Sequence, residues 1–538
     1  MRHAVLTLLI ACPLAVPAGA QDFFALRKSF EVYGRVYQTL AAEYVDALDP
    51  EALMRTGIGS MTEALDPYTV FYDEATATAS RLQQGGDVGG VGVIVGERAG
   101  RLVITSIADG SDAEQQGLRP GDAVVRLAGQ DAETLGASRA NGLLRGQPGS
   151  SVALDVEREG ETEALQFVLV RTGEPPVDVV YSGRLGDPAD AIGYVRLAQF
   201  RRGAADQVAE AVEALSEDGG LSGVLIDLRG NGGGLLEEAV EIVGLFVPAG
   251  TAVVQTRGRA TGTDQTYVTQ EPPRYPDLPV SVLVDGVSAS ASEILAGALQ
   301  DMDRGLVVGE TTFGKGLVQV VRPMPFGTAL KITVSRYTTP SGREIQSLRY
   351  VQGEDASSAG DGRVFQTDAG RDVRSGVGIE PDVPVSLGPP SELEQALTRS
   401  AAFLRFANRF ASETPDLPTD FRVDGDVLDR FRRFVESEGV DYRTAAERAA
   451  DALAADLTSA GYDASREVEA LRRAIADEKA RDFDRHAERL RARLRDEILS
   501  RYVGQQAQTV AALAEDPVVT EARRLLMDPT ETSRRLGR

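Results

Sequence analysis

The chain has 538 residues, 42% hydrophobic and 26% charged, with a net charge of −24 at pH 7. That length and balance suit about three or four globular domains with cores of their own. The charge argues against a nucleic-acid partner, whose phosphates it would repel, and otherwise speaks to solubility.

Residues 1–20 have the form of an export signal: a basic Met1-Arg2-His3, an apolar run from Ala4 to Ala11, and small residues Ala18-Gly19-Ala20 before Gln21. The run is too short to span a bilayer. Leu9-Ile10-Ala11-Cys12 also resembles a bacterial lipoprotein box, which would make Cys12 a lipid anchor, although Pro13 follows at once. Either route places the mature protein outside the cytoplasm, in the periplasm or cell envelope. Cys12 is the only cysteine, so no disulfide can form within one chain.

Residues 21–74 read as a helical segment, with Phe30, Tyr33, Val36, Tyr37 and Leu40 at helical spacing and Asp49-Pro50 and Asp66-Pro67 as punctuation. From 75 to 173 short β-branched runs alternate with glycine-bearing turns: 91–95, 102–107, 123–127 and 152–156. With Gly89-Gly90-Val91-Gly92-Val93 and the later turn Leu118-Arg119-Pro120-Gly121-Asp122, this stretch resembles a PDZ domain. The glycine-bearing loop would then turn successive N–H groups onto a terminal carboxylate, beside a strand edge that accepts a peptide. A small β domain with ordinary turns is the plainer reading. From 174 to 385 strands alternate with helical patterns, which predicts an α/β core. From 386 to 538 the chain is charged and helical. Val468, Leu471, Ile475, Phe483, Leu490, Leu494 and Ile498 predict an amphipathic helix packed on its own domain or on another copy of the chain.

Elimination narrows the chemistry. The only histidines are His3, in the signal, and His486, on the charged carboxyl-terminal helix. A Ser-His-Asp triad, a cysteine nucleophile and a His/Cys zinc site all lack their parts. A hydrolase built on this chain would take its base from Lys, Asp, Glu or Tyr.

Two segments could supply such a site. Val287-Ser288-Ala289-Ser290-Ala291-Ser292-Glu293 follows a strand and opens a helix, where a serine hydroxyl can be exposed beside unpaired N–H groups. Alone it reads as a helix cap, with Glu293 closing a capping box on Ser290. Gly309-Glu310-Thr311-Thr312-Phe313-Gly314-Lys315-Gly316 nearly spells a phosphate-binding loop. Gly316 stands where the magnesium-ligating Ser or Thr would be, and a strand follows in place of a helix, so nucleotide binding is rejected. Lys315 alone reads as a surface lysine in a turn; buried among apolar neighbours it could act as a general base. Gln319, four residues on along a strand, would face the same side.

Together these residues resemble the carboxyl-terminal processing peptidases, Ser-Lys serine proteases, from the helical start to about residue 385. The resemblance is carried, in the family's order, by Leu65-Asp66-Pro67-Tyr68-Thr69, Asp227-Leu228-Arg229-Gly230-Asn231-Gly232-Gly233-Gly234, Ser290 to Glu293, Phe313-Gly314-Lys315-Gly316, the run 337–343 and Gly378-Ile379-Glu380-Pro381-Asp382. Lys315 follows Ser290 by 25 residues and Gln319 lies four further on, as in the family. Gly232 stands where relatives often have proline, and a polar insert at about 348–375 has no readable role. The fold implied is multidomain, α/β and α+β: a helical start, a PDZ domain, a crotonase-like α/β protease core and a helical carboxyl-terminal domain.

The resemblance implies Ser290 as nucleophile, Lys315 as base, Gln319 as the residue that orients the lysine, and an oxyanion held by the N–H groups of Ala291 and a loop glycine, Gly233. Glu293 could be structural or could assist. The loop 89–93 would bind the free carboxyl terminus of a protein substrate; no metal or cofactor is implied, and the carboxyl-terminal helices could join copies of the chain. Two other classes fit parts of the sequence. One is a PDZ scaffold with a dead protease fold; the other is an α/β enzyme acting on acyl thioesters.

Overall fold

The computed structural model describes residues 18–74, 76–77, 89–173, 177–186, 191–217, 219–260, 262–347, 362–386, 388–418 and 421–538, with side chains from residue 24. The basic start, the apolar run and Cys12 lie outside the described residues. No helix among the described residues is long and apolar enough to cross a membrane.

The chain divides into two units. The smaller holds the described residues 18–74 and 319–333. Its helices run over Ala18–Glu43 and Pro50–Glu63. Asp49 caps the second by accepting the Glu51 N–H at 2.9 Å, and Pro50 follows at the first helical position, where its missing N–H costs nothing. Asp66 closes the next turn by accepting the N–H groups of Tyr68 and Thr69 at 2.8 and 2.7 Å. The strand Val70–Tyr72 then pairs antiparallel with residues 329–331.

The larger unit is built on one sheet of six strands hydrogen-bonded in chain order: β1 (Val179–Leu185), β2 (Ile192–Leu197), β3 (Gly223–Asp227), β4 (Val280–Val284), β5 (Gly305–Gly309) and β6 (Val383–Pro384). β1 is antiparallel to β2, and all later neighbours are parallel. Between them run α1 (Ala204–Glu217), α2 (Leu236–Gly244) and α3 (Ala291–Asp301). Parallel crossovers are right-handed almost without exception. Strands added one after another in a single direction therefore put all three helices on one face. Val195, Leu197, Val224, Ile226, Val282 and Val307 point into that helical layer.

A parallel sheet must be covered on both faces. The opposite face, with Ile192, Tyr194, Leu225, Leu283, Leu306 and Val308, is covered from the far end of the chain. There α4 (Gln505–Leu513) and α5 (Pro517–Leu526) contribute Leu513, Val518, Val519, Ala522, Leu525 and Leu526. The carboxyl-terminal helices thus complete the core sheet.

Residues 89–173 form a small antiparallel sheet with strands Val93–Arg98, Arg101–Ile107, Ala123–Leu127, Ser151–Glu157 and Leu165–Val170 in that order. The last strand and the helix Ala137–Leu143 were not foreseen. That helix carries Asn141 and Gly142, both weak helix formers. It is fixed from outside, since Asn141 bonds both the N–H and the carbonyl of Val95. The charged pattern read near 468–498 is broken into Ser465–Lys479, Asp482–Arg485 and Ala487–Leu499. Leu490, Leu494 and Ile498 pack on Phe403, Phe406 and Phe431 inside their own domain, whereas Leu471 is exposed. Of the polar insert, residues 364–374 form a hairpin, and 348–361 lie outside the described residues.

Candidate active site

The carboxyl ends of β3, β4 and β5 carry, respectively, the loop 228–234, the turn that leads to Ser290, and the loop 310–316 that holds Lys315. Open parallel sheets place their ligand sites at this edge.

The turn after β4 is bound to the loop after β3. Asp285 accepts the N–H groups of Val287 and Ser288, each at 3.0 Å, and that of Gly230 at 3.0 Å. Ser288 donates its hydroxyl to the Leu228 carbonyl at 2.8 Å, and Ser292 donates to the Asn231 carbonyl at 2.9 Å. Both serines are buried and spent on holding the loop, while Ser290 between them is partly exposed. Ser290 has φ 58° and ψ −113°. A side chain in that region costs on the order of 1–3 kcal/mol and persists only where its surroundings impose it.

Two groups impose it, and they grip Lys315 at the same time. The Glu293 carboxylate, fully buried, accepts the N–H of Ser290 at 2.8 Å and that of Lys315 at 2.9 Å. It also accepts the Gly314 N–H at 2.7 Å and the Thr312 hydroxyl at 2.6 Å. Four donors and no acceptor suit an ionised carboxylate. Burial raises its pKa above the usual carboxylate range, and the Thr312 hydroxyl and the N–H donors offset only part of that rise. Tyr337 does the converse work on the carbonyls. Its hydroxyl lies 2.7 Å from the Lys315 oxygen and 3.1 Å from the Ser290 oxygen. Burial first, then nearby Glu293, holds the phenol protonated as a donor. Carboxylate and phenol together fix both the N–H and the C=O of the serine and of the lysine.

The rest of the loop 310–316 is braced by the motifs named in the sequence. The Thr312 N–H donates to the Ile379 carbonyl and its Oγ1 accepts the Ile379 N–H at 2.7 Å, and a Cβ at Gly378 would sit 2.6 Å from the Thr312 carbonyl. Beneath α3, Arg343 forms a fully buried pair with Asp301 at 2.8 Å.

The loop 228–234 forms the opposite wall. Gly233 has φ +97°, and a Cβ there would fall 2.6 Å from the Ala289 oxygen, 2.9 Å from the Ala291 nitrogen and 2.9 Å from Ser290 Cβ. Only glycine fits so close to the serine. The Gly233 N–H donates to Asn231 Oδ1 at 2.8 Å, so to hold an oxyanion it would have to exchange that bond. Ala291 opens α3. The next three N–H groups have backbone acceptors at Ala289 and Ser290; that of Ala291 has none among the described residues. Asn231 also donates to the Leu197 carbonyl at 2.8 Å, and Phe200 bonds Leu235.

The wall is anchored at its base by ions. Asp227 accepts the Tyr194 hydroxyl at 2.6 Å and an Arg229 Nη2–H at 2.6 Å. Burial would raise its pKa, but the Arg229 guanidinium and the Tyr194 hydroxyl hold it below the usual carboxylate range. The other arm of Arg229 reaches Asp516 at 2.7 Å, 287 residues away.

Other expectations are placed as follows. Lys315 lies in the loop, two residues before the strand Leu317–Pro323. The strand on which the sequence argument set Gln319 and the lysine together thus begins after Lys315. Gln319 donates to Thr333 Oγ1 at 3.4 Å, and its orienting role rests on the resemblance. Gly89 and Gly90 form a short strand against Arg145 and Gly146, and the Gly90 N–H donates to the Thr172 carbonyl. Val91 and Gly92 make the turn into the strand that begins at Val93. His486 lies between two helices of the carboxyl-terminal domain. Asn231, Tyr337 and Asp516 were not singled out; an Asn amid loop glycines is the one signal that could have marked Asn231 as a turn-former.

Residues 191–352 match the peptidase family S41, residues 89–169 the PDZ domain family, and residues 393–526 a probable PDZ-protease C-terminal helical domain. The carboxy-terminal processing protease CtpB of Bacillus subtilis (strain 168) is 34% identical over 332 residues, 62% of this chain and 68% of that protein. The chain belongs to the carboxyl-terminal processing peptidases. It is a serine peptidase with a PDZ domain. The carboxyl-terminal-processing protease of Synechocystis sp. is 36% identical over 306 residues, 56% of this chain and 70% of that one. Among solved structures, the photosystem II D1 C-terminal processing protease is similar at 27% identity, with a TM-score of 0.40 over 69% of this chain and 90% of that one.

Proposed function

We propose that this peptidase works by a Ser290–Lys315 dyad, is exported, and takes protein substrates by their free carboxyl termini. The observation that carries the dyad is the left-handed backbone of Ser290, tied to Lys315 by one carboxylate and one phenol. Neutral Lys315 Nζ takes the Ser290 Oγ proton as Oγ bonds to the scissile carbonyl carbon. The oxyanion that forms is met by the Ala291 N–H and a loop N–H, that of Gly233 once it leaves Asn231. The carbon–nitrogen bond then breaks, and the lysine ammonium protonates the leaving amine. Water releases the acyl group by the same steps, its proton passing to Lys315 and the Ser290 oxygen regaining one. Export is supported by the pattern of residues 1–20, and carboxyl-terminal capture by the PDZ match and the turn at 91–92.

The test uses an unfolded protein substrate with cut sites mapped by mass spectrometry. Ser290→Ala and Lys315→Ala should each lower kcat by at least about 10⁴-fold, since members of such a unit act together. Cleavage that survives Lys315→Ala sinks the dyad. Cuts scattered along the substrate, without regard to its terminus, sink the capture role.

A further inference from the structure

α4 and α5 end on two distant parts of the molecule. The residue before α4 is Gly504, which has no side chain with which to cap it. Asp109, from the PDZ domain, does so instead, accepting the Gln505 N–H at 2.7 Å and the Gln506 N–H at 2.8 Å. The approach is close, for a Cβ at Gly504 would lie 2.4 Å from Asp109 Oδ1. A carboxylate there satisfies orphan N–H groups and meets the positive end of the helix.

Asp109 belongs to the turn 108–111, and that turn rests on the loop expected to bind a carboxyl terminus. The Ala108 N–H donates to the Gly92 carbonyl at 2.7 Å. A Cβ on Gly92 would lie 2.5 Å from that of Ser111. At the far end, Leu513 of α4 is buried against the core sheet, and three residues on Asp516 caps α5 through the N–H groups of Val518 and Val519. The second oxygen of Asp516 holds Arg229, and Arg229 holds Asp227 at the root of the wall that carries Gly233.

We propose that α4 and α5 form a strut that couples occupancy of the 89–93 loop to the set of the 228–234 loop, with Asp109 and Asp516 as positioning residues at its two ends. Binding a carboxylate between residues 91 and 93 shifts the turn 108–111, the turn carries the capped end of α4, and Asp516 passes the shift to Arg229. This rests on the reading that the 89–93 loop takes a carboxyl terminus.

The test is made on the full chain with two peptides that differ only in ending as a carboxylate or an amide. The unchanged protein should cut the carboxylate peptide with the higher kcat. Asp109→Ala and Asp516→Ala should each remove about tenfold of that advantage, within the usual range of coupling between sites, and Asp109→Ala should leave the amide peptide nearly unaffected. The double variant should be no worse than either single one, because both act through one element. Asp109→Asn, which still caps, should restore most of the advantage. Equal losses on both peptides, or losses that multiply in the double variant, overturn the strut. A protein that cuts the two peptides equally before any substitution overturns the carboxylate reading of the loop, and the strut with it. One that discriminates, and goes on discriminating in both variants, overturns the strut alone.

Discussion

The two walls of the active site are held in different ways. The wall of Ser290 and Lys315, beyond the bonds that tie its turn to the loop after β3, is clamped by Glu293 and Tyr337, which both belong to the protease core and are both buried. The wall of Gly233 is held by borrowed contacts. Asn231 leans on β2, Gly230 on Asp285, and Arg229 on a residue of the carboxyl-terminal domain. On the proposed mechanism Ser290 and Lys315 are nucleophile and base and need one fixed geometry, for which a buried clamp is suited. An oxyanion wall that is anchored outside its own layer can be moved from outside. On the proposed mechanism, the difference gives rigidity to the reacting atoms and adjustability to the group that stabilises charge.

The strongest way to break the comparison is to push one wall into the other. Gly233→Ala adds a methyl that would fall within 3 Å of Ala289, Ser290 and Ala291, on a backbone at φ +97°. Losing an oxyanion donor's placement costs about 10²–10³ in kcat. That loss should appear with KM changed less than about threefold, because the contact lies beside the serine rather than along the peptide path. Unaltered turnover would mean that this wall yields freely and has no fixed part in catalysis.

The architecture was legible in the sequence because it is written in local signals. The alternation of strands and helices gave the α/β core, and the spacing of Ser290 and Lys315 marked the pair proposed above. What held the pair was not legible, for a physical reason. Glu293 looks like an ordinary capping-box residue three positions after Ser290, and only the fold shows that its carboxylate also receives the loop of Lys315. Tyr337 was visible as part of a motif, yet its hydroxyl acts on carbonyls 22 and 47 residues away. Asp516 lies in a segment whose pattern is that of any charged helix. The covering of the sheet by α5 follows from strand order and handedness, which no single segment carries. The Lys315-to-Gln319 argument assumed a strand from Lys315 onward, and the strand begins only at Leu317.

A milder change probes the wall of Ser290 and Lys315. Tyr337→Phe keeps the ring and removes the one donor shared by the Ser290 and Lys315 carbonyls. Buried acceptors left without that partner cost about 1–3 kcal/mol. If the wall is a clamp, kcat should fall by about tenfold with KM unchanged, a 1.4 kcal/mol loss in the transition state. A variant that is less stable but equally active would show that Tyr337 supports the fold and leaves the pair alone.

The smallest effect sharpens the other wall by pH. Asp178 precedes β1 and is fully buried, with Arg201 as its ion-pair partner at 3.2 Å. Its carbonyl accepts the Ala198 N–H at 2.8 Å, and the same segment runs on to Phe200, which bonds Leu235 beside the oxyanion loop. Burial pushes its pKa up to about 6; Arg201 lowers it and Glu238 adds to the rise. A carboxyl raised in the fold binds its proton more tightly there than in the unfolded chain. Its contribution to stability is therefore full below pH about 4 and is lost as pH rises through about 6. Asp178→Asn removes the titration, so its Tm relative to the unchanged protein should climb between pH 5 and 7.5 by about 2–4 °C. Arg201 is partly exposed and loses little with its partner. Parallel Tm curves would remove Asp178 as the titrating group. The kcat of the variant decides the larger point. If it is unchanged, the backbone contacts of Phe200 suffice on this side, and the adjustable anchor of the oxyanion wall is the Arg229–Asp516 pair. If it falls further than in Tyr337→Phe, the wall is clamped from both sides, and the contrast with the serine and lysine wall no longer stands.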